Sequence, residues 1–446
     1  MDQRNRGRGE GKGGEAASEV AEMDLLCNAY SNNSDDDDEQ QQRQQQEPKR
    51  QRFSLPSSAP PKPDSTLPSS IPSPPIPGRY VSKRQRHRFD PLPSLPDPLP
   101  LPSSFTLTGS ILDADIPHSI LPLLKSKSKA HQNMNSVSDK LSVALDGHTK
   151  AVNAIHWSST HAHLLASAGM DHTVCIWNVW SRDQKKACVL NFHNSAVKDV
   201  TWSPQGLFLL SCGYDCTSRL VDIEKGLETQ VFREDQVVGA IKFNPDNSNL
   251  FLSGGSKGHI KLWDIRTGKV VHNYNRNLGP ILDVEFTMNG KQFISSSDVS
   301  MSNASENSII VWDISRQVPL SNQVYVEAYT CPCVRRHPFD SVFVAQSNGN
   351  YVAIFTATPP YRLNKYKRYE SHAVSGFPIK CNFSLDGKIL ASGSSDGSIY
   401  LYGYQSSKVV KKIKAYDQAC IDVAFHPVIP DVIASCSWDG SIAVFK

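Results

Sequence analysis

From about Leu141 onward, apolar and polar positions alternate in short bursts, and the bursts recur in a fixed order. The first set runs through Ala151–Trp157, Leu164-Leu165-Ala166-Ser167 and Val174-Cys175-Ile176-Trp177-Asn178. Its third burst returns as Leu220-Val221-Asp222, Leu262-Trp263-Asp264, Val311-Trp312-Asp313, Ala353-Ile354-Phe355, Tyr400-Leu401-Tyr402 and Ala443-Val444-Phe445. Seven copies between 147 and 446 give a period of about 43 residues, that of a four-stranded propeller blade. The bursts are β-branched or aromatic and are bounded by Gly, Ser, Asp and Asn, which marks strands and turns rather than helices.

A second pattern overlies the first. Copy one carries His148, Ser167, Asp171 and Trp177; copy two carries His193, Ser211 and Asp215, with Val221 in the Trp position. Copy six has His372, Ser392 and Asp396 with Tyr402, and copy seven has Tyr416, Ser435, Asp439 and Phe445. Copy three keeps Ser253 and Trp263 but has Lys257 where Asp is expected; copy four is interrupted around Asp298–Asn307, and copy five has Gly349 at the turn. This arrangement resembles the WD-repeat family. The resemblance implies a His–Ser–Asp–Trp hydrogen-bonded chain in each complete blade, a structural device that satisfies buried polar groups. The fold expected is all-β: a seven-bladed WD-repeat β-propeller over 138–446, preceded by a disordered N-terminal tail over 1–137. The last copy ends after its third strand, so Leu141–Leu145 is expected to supply the missing outer strand of blade seven and latch the ring.

Composition sharpens that division. Of the 29 prolines, 18 precede residue 141, together with the run Asp35–Glu39, the glutamines of 40–46, and Pro/Ser/Leu-rich segments at 55–77 and 91–102. Such a stretch buries too little apolar surface to offset its ordering entropy. Val20–Tyr30 is an apolar island that could fold onto a partner groove, or have no partner at all; the proline-rich stretches read as spacers or polyproline ligands. No run of 18 apolar residues and no signal-peptide core occur, so a soluble intracellular protein without membrane contact is expected. Most of the ten cysteines fall in strand-like runs, which reads as buried free thiols; the spacings lack the companion ligands of a zinc site, and no metal or other cofactor is expected.

Net charge is only +3, but its distribution is uneven. Lys49-Arg50-Gln51-Arg52 and, more densely, Lys83, Arg84, Arg86 and Arg88 read as a nuclear import signal, against a plain solubilising cluster. No phosphate loop, His-Glu-x-x-His or nucleophile elbow is present. Aligned innermost strands place Ala154, Asp199, Ala240, Asp283, Cys333, Lys380 and Asp422 at one level; three carboxylates and a lysine there fit structural ion pairs better than acid–base chemistry. The expectation is a non-catalytic scaffold, localised to the nucleus and holding proteins of a multi-subunit complex, with no small-molecule substrate.

Particular stretches resemble a WD lineage that includes a pre-mRNA splicing factor: Gly147–Ile155, His163–Ser167, Trp263–Gly268, Tyr361–Lys367 with Ser371–Gly376, and Phe425-His426-Pro427. That implies a splicing-related role. An alternative comes from Trp263-Asp264-Ile265-Arg266, which is similar to the Trp-Asp-x-Arg element of WD proteins serving as substrate receptors of cullin ubiquitin ligases; there Arg266 would meet the adaptor. Stacking platforms need exposed aromatics among Lys and Arg, so the propeller as a whole is not expected to read RNA. The exception is Tyr361–Tyr369, where Arg362, Lys365, Lys367 and Arg368 are candidate contacts to RNA or to an acidic protein surface.

Overall fold

A computed structural model describes residues 104–125, 139–206, 208–276, 278–298, 309–323 and 330–446. Seven sheets follow one another along the chain; six have four strands, and the first has five. Within each blade the strands are antiparallel neighbours in chain order, with the strand facing the central channel first, except that the first and last blades each gain an outer strand from earlier in the chain. The innermost strands are Val152–Trp157, Val197–Trp202, Val238–Phe243, Ile281–Phe286, Cys333–Arg336, Cys381–Phe383 and Cys420–Phe425. This is a seven-bladed β-propeller. Strand alternation puts the loops entering the innermost strands and the second-to-third turns on one face, called upper here. The first-to-second and third-to-outer turns lie on the lower face.

The blades hold together through aromatic wedges. A ring near the end of one outer strand packs between the second and third strands of the next blade. Phe232 meets Phe251 and Trp263 at centroid distances of 4.8 and 5.4 Å, and Tyr274 meets Phe293 and Trp312 at 4.9 and 5.7 Å. These rings are buried. Each removes roughly 150–250 Å² from water at its blade interface.

Leu141–Leu145 pairs with Ile442–Phe445, in the register Leu145↔Ile442, Ala144↔Ala443 and Val143↔Val444. Blade seven is thus completed by a strand that precedes blade one. A second N-terminal element corrects the boundary read from sequence, which assigned everything before 138 to the tail. Phe105–Leu107 adds a fifth strand to blade one, with Phe105 opposite Leu190. The chain then crosses the lower face through a turn at Asp113–Asp115 and a short helix, Leu121–Lys125. Ile116 is 2% exposed and joins the cluster containing Trp157 and Trp180. Asn178 Nδ2 donates to the carbonyls of Ser110 and Leu112, both at 3.1 Å. The remaining tail readings, including the apolar island, the proline-rich stretches and the basic run at 83–88, lie outside the described residues, as does most of the blade-four insertion.

Candidate functional site

The polar chain is complete in blade one. His148 Nε2 lies 2.7 Å from Ser167 Oγ, to which Trp177 Nε1 donates at 2.9 Å. His148 Nδ1 lies 3.0 Å from Asp171, which also accepts from the Thr149 amide and the Thr173 hydroxyl. Burial opposes charging the ring, yet the bond to Asp171 prevails and holds His148 up at about 9; Asp171 is correspondingly held down at about 2. The pair thus favours its charged form despite burial. Blade two has the same His–Ser–Asp geometry in His193, Ser211 and Asp215, at 2.8 and 3.0 Å, and the Arg219 guanidinium lies 3.3 Å from Asp215.

Elsewhere the structure departs from the sequence reading. In blade six, His372, Ser392 and Asp396 are not joined. Gln346, from the second strand of blade five, enters between His372 and Ser392, at 2.6 Å from His372 Nε2 and 3.1 Å from Ser392 Oγ. His372 Nδ1 turns to the Tyr402 hydroxyl at 2.8 Å, while Asp396 is engaged by Tyr400 and Lys412. Burial without a carboxylate partner pushes His372 down to about 4, so the ring is neutral. In blade seven, Tyr416 bonds Ser435 Oγ at 2.8 Å, whereas Asp439 serves only its own turn, through the Ser441 amide. In blade three, Lys257 does not substitute for the missing Asp. Glu234 takes the histidine's place instead, accepting from Ser253 Oγ at 2.5 Å and pairing with Lys261 at 3.3 Å. Its signal was available: a carboxylate at the histidine's spacing before the innermost strand.

The channel charges are engaged as well. Innermost strands bulge one residue before Asp199, Asp283 and Asp422, which re-aims these side chains. Each accepts an amide from the next blade: Ile241 at 3.3 Å, Val334 at 2.8 Å and Ile155 at 3.1 Å. Lys380 lies within 3.5 Å of Asp199 and 3.8 Å of Asp422, and Arg335 pairs with Asp283. These carboxylates staple blades together. Asp199 and Asp283 line, with Asn153, Lys198, Pro332 and Lys380, a small recess of the channel.

The upper rim carries a feature the sequence reading missed. The residue after each second strand donates its amide across to the chain entering the first, as in Met170 to Ala151, Tyr214 to Ala196 and Trp438 to Ala419. These equivalent positions form a ring around the channel mouth. Blades seven, one and two place Trp438, Met170 and Tyr214 there, and Phe377 packs edge-on against Trp438 at 5.3 Å. Tyr214 is 37% exposed. The positions are legible only once the register is known.

Of the other candidate contacts, Arg266 sits in the lower-face turn after the third strand of blade three. It forks onto Asp264 with bonds of 2.8 and 3.2 Å, while its side chain stays 66% exposed. Arg362 and Lys365 are exposed. Lys367 and Arg368 are not free cations as the sequence suggested: Lys367 Nζ lies 4.2 Å from the Tyr404 ring centre, and the Arg368 guanidinium lies 4.5 Å from that of Tyr351. Among the described residues no cluster of three His, Cys, Asp or Glu could hold a metal ion, and eight of nine cysteines there are buried thiols. No helix among them is long and apolar enough to cross a membrane.

The repeat geometry and the polar chains define a propeller of the WD-repeat family, and the chain belongs to it. The family model for the WD domain, G-beta repeat, matches residues 139–178, 184–222, 227–264 and 364–403. The chain is similar to mouse WD repeat-containing protein 25, with 38% identity over 73% of its length and 60% of that relative. It is also similar to human pre-mRNA-processing factor 17, at 32% identity over 67% of this chain and 51% of the relative. The Saccharomyces cerevisiae protein of that name is 26% identical over 63% and 61% respectively. The chain thus spans less than two thirds of each of these relatives.

Proposed function

We propose that the protein is a non-catalytic scaffold of a nuclear assembly concerned with pre-mRNA processing. The observation that carries this reading is the 32% identity to human pre-mRNA-processing factor 17 across the propeller. A propeller suits such a role, because a rigid ring fixes many loops at set angles and each can engage a different partner. The upper rim at Trp438, Met170 and Tyr214 has the aromatic content of an interaction hot spot. The basic run Lys83, Arg84, Arg86 and Arg88 would carry the chain into the nucleus.

The test is affinity purification of the tagged protein from nuclear extract, with and without RNase, read by mass spectrometry. Small nuclear ribonucleoprotein subunits are expected among the partners, and their retention after RNase places the contact on protein. One further observation favours a second reading. Arg266, exposed on the lower face and paired with Asp264, lies in the Trp-Asp-Ile-Arg run that resembles the adaptor-contacting element of cullin ubiquitin ligase receptors. Recovery of a cullin and its adaptor, lost in Arg266→Glu, would replace the first reading with the second.

A further inference from the structure

Blades five and six differ from the rest of the ring in charge. Between Cys331 and Lys414 there are twelve Lys and Arg against four Asp and Glu, in a chain whose net charge is only +3. Much of this charge lies on the outer edge. Leu363–Glu370 is the outer strand of blade five, and Val409–Lys414 that of blade six. They are linked side to side: Lys367 covers the Tyr404 ring, and the Tyr369 hydroxyl donates to the Tyr404 carbonyl at 3.0 Å. Tyr404 lies in the turn that leads to Lys408, and its amide donates to the Lys388 carbonyl at 2.7 Å. The outer strand of blade five is thus joined to the turn leading to Lys408, whereas Arg335, Arg336 and Lys380 of the same two blades pair with carboxylates of the innermost strands.

The blade-five strand also has an uncommon shape. In blades three and six the outer strand carries one extra residue against its neighbour, Val271 and Val410. In blade five, Ala353 faces Arg368 and Phe355 faces Leu363, so four residues, Asn364–Lys367, stand against Ile354 alone. The Asn364 side chain accepts the Tyr366 amide at 3.1 Å and shapes the protrusion. At its tip Tyr366 is 100% exposed, flanked by the exposed Lys365. Lysines on an edge strand commonly serve to block pairing with another sheet. A fully exposed tyrosine works against that purpose, since it adds an apolar face to the edge.

We infer that the outer rim of blades five and six binds single-stranded RNA, with Tyr366 stacking on a base and Arg362, Lys365 and Lys408 meeting phosphates. An aromatic ring raised on a bulge among cations offers both elements that such binding uses, a stacking face and a track for the backbone. An acidic protein surface would use the charge without needing a ring raised to stack on a base. The inference extends the scaffold reading above and does not depend on it, because it concerns the purified chain alone.

The test is fluorescence anisotropy of a labelled 20-nucleotide uridine oligomer with the full-length protein, at several salt concentrations. Tyr366→Ala is expected to weaken binding by roughly 5- to 100-fold, the size of one lost stacking contact. Arg362→Glu with Lys365→Glu is expected to weaken it further and to flatten the slope of log affinity against log salt by about 1.4, the share of two phosphates on a single strand. A parallel variant with Lys83, Arg84, Arg86 and Arg88 changed to Ala reports any contribution of the tail. Because the Tyr366 side chain is fully exposed, its substitution leaves the thermal melt unchanged, and lost binding cannot be ascribed to unfolding. Wild-type affinity in both rim variants, or loss only in the tail variant, would overturn the inference. So would loss on charge reversal with none in Tyr366→Ala, which shows the oligomer held by phosphate contacts alone, without base stacking.

Discussion

Blades one and six carry the same letters in the same order, His, Ser and Asp, and use them in opposite ways. In blade one, His148 is buried against Asp171, whose carboxylate favours the charged ring. In blade six, His372 is equally enclosed but neutral, because Gln346 and Tyr402 are its partners and Asp396 belongs to Tyr400 and Lys412. The difference is not in the histidine but in what reaches it first. A carboxylate at hydrogen-bond distance outweighs burial; an amide and a phenol do not. Motif letters therefore specify a place in the blade, and the groups that reach the ring, from its own blade or the next, set the direction in which its titration moves.

The largest effect should come from breaking the charged pair. Asp171→Ala leaves a buried imidazolium without its partner and is expected to cost about 3–5 kcal/mol, read as a shift in the denaturant midpoint. A loss under about 1 kcal/mol would show that His148 is neutral in the fold. Next comes Gln346→Leu, which strips two buried groups of a bond across the interface between blades five and six. A cost of about 1–3 kcal/mol is expected, removed in large part when Ser392→Ala is added.

The comparison also predicts a pH profile with two flanks. A histidine raised to about 9 in the fold, against an ordinary 6.5, contributes fully below pH 6.5 and loses that contribution as pH rises toward 9. One depressed to about 4 acts in the reverse sense: the unfolded chain takes up the proton first, so stability falls as pH drops from 6.5 toward 4. His426, also held near 4 by burial, adds to that acid flank. Thermal melts should peak near pH 6.5. In His148→Gln the decline between pH 6.5 and 8.5 should flatten while the acid flank persists; an alkaline flank left unchanged would assign it to other groups. The smallest effect is expected from Asp396→Ala. That carboxylate is 36% exposed and pairs with the half-exposed Lys412, so its loss should cost at most about 1 kcal/mol in the same unfolding assay.

What could be read from the chain follows the same line. The strand order, the seven copies and the innermost-strand alignment were legible because they rest on local alternation repeated at a fixed period. The His–Ser pairing in blades one and two was legible because both residues belong to one blade. Gln346 was not, since it is an unremarkable position in its own blade and acts in the next. Nor was the segment 104–125, whose Ile116 fills a gap beside Trp180 without any repeat to announce it. The protrusion at Tyr366 needed the pairing register, which turns a basic run into two outward cations and two held by aromatic rings.

The strand that completes blade seven has a consequence in time. Leu145 and Ile442 are paired neighbours, yet almost 300 residues separate them along the chain. Bringing together ends so far apart costs about 5 kcal/mol of chain entropy, and that cost precedes any return from the contact. During synthesis at about 5–20 residues per second, roughly 15–60 s pass between the emergence of one strand and its mate. Throughout that interval Leu141–Leu145 offers an unpaired edge, and the matching last strand of another copy can reach it first. The latch that makes a finished ring stable is thus also the point at which two unfinished chains can become entangled.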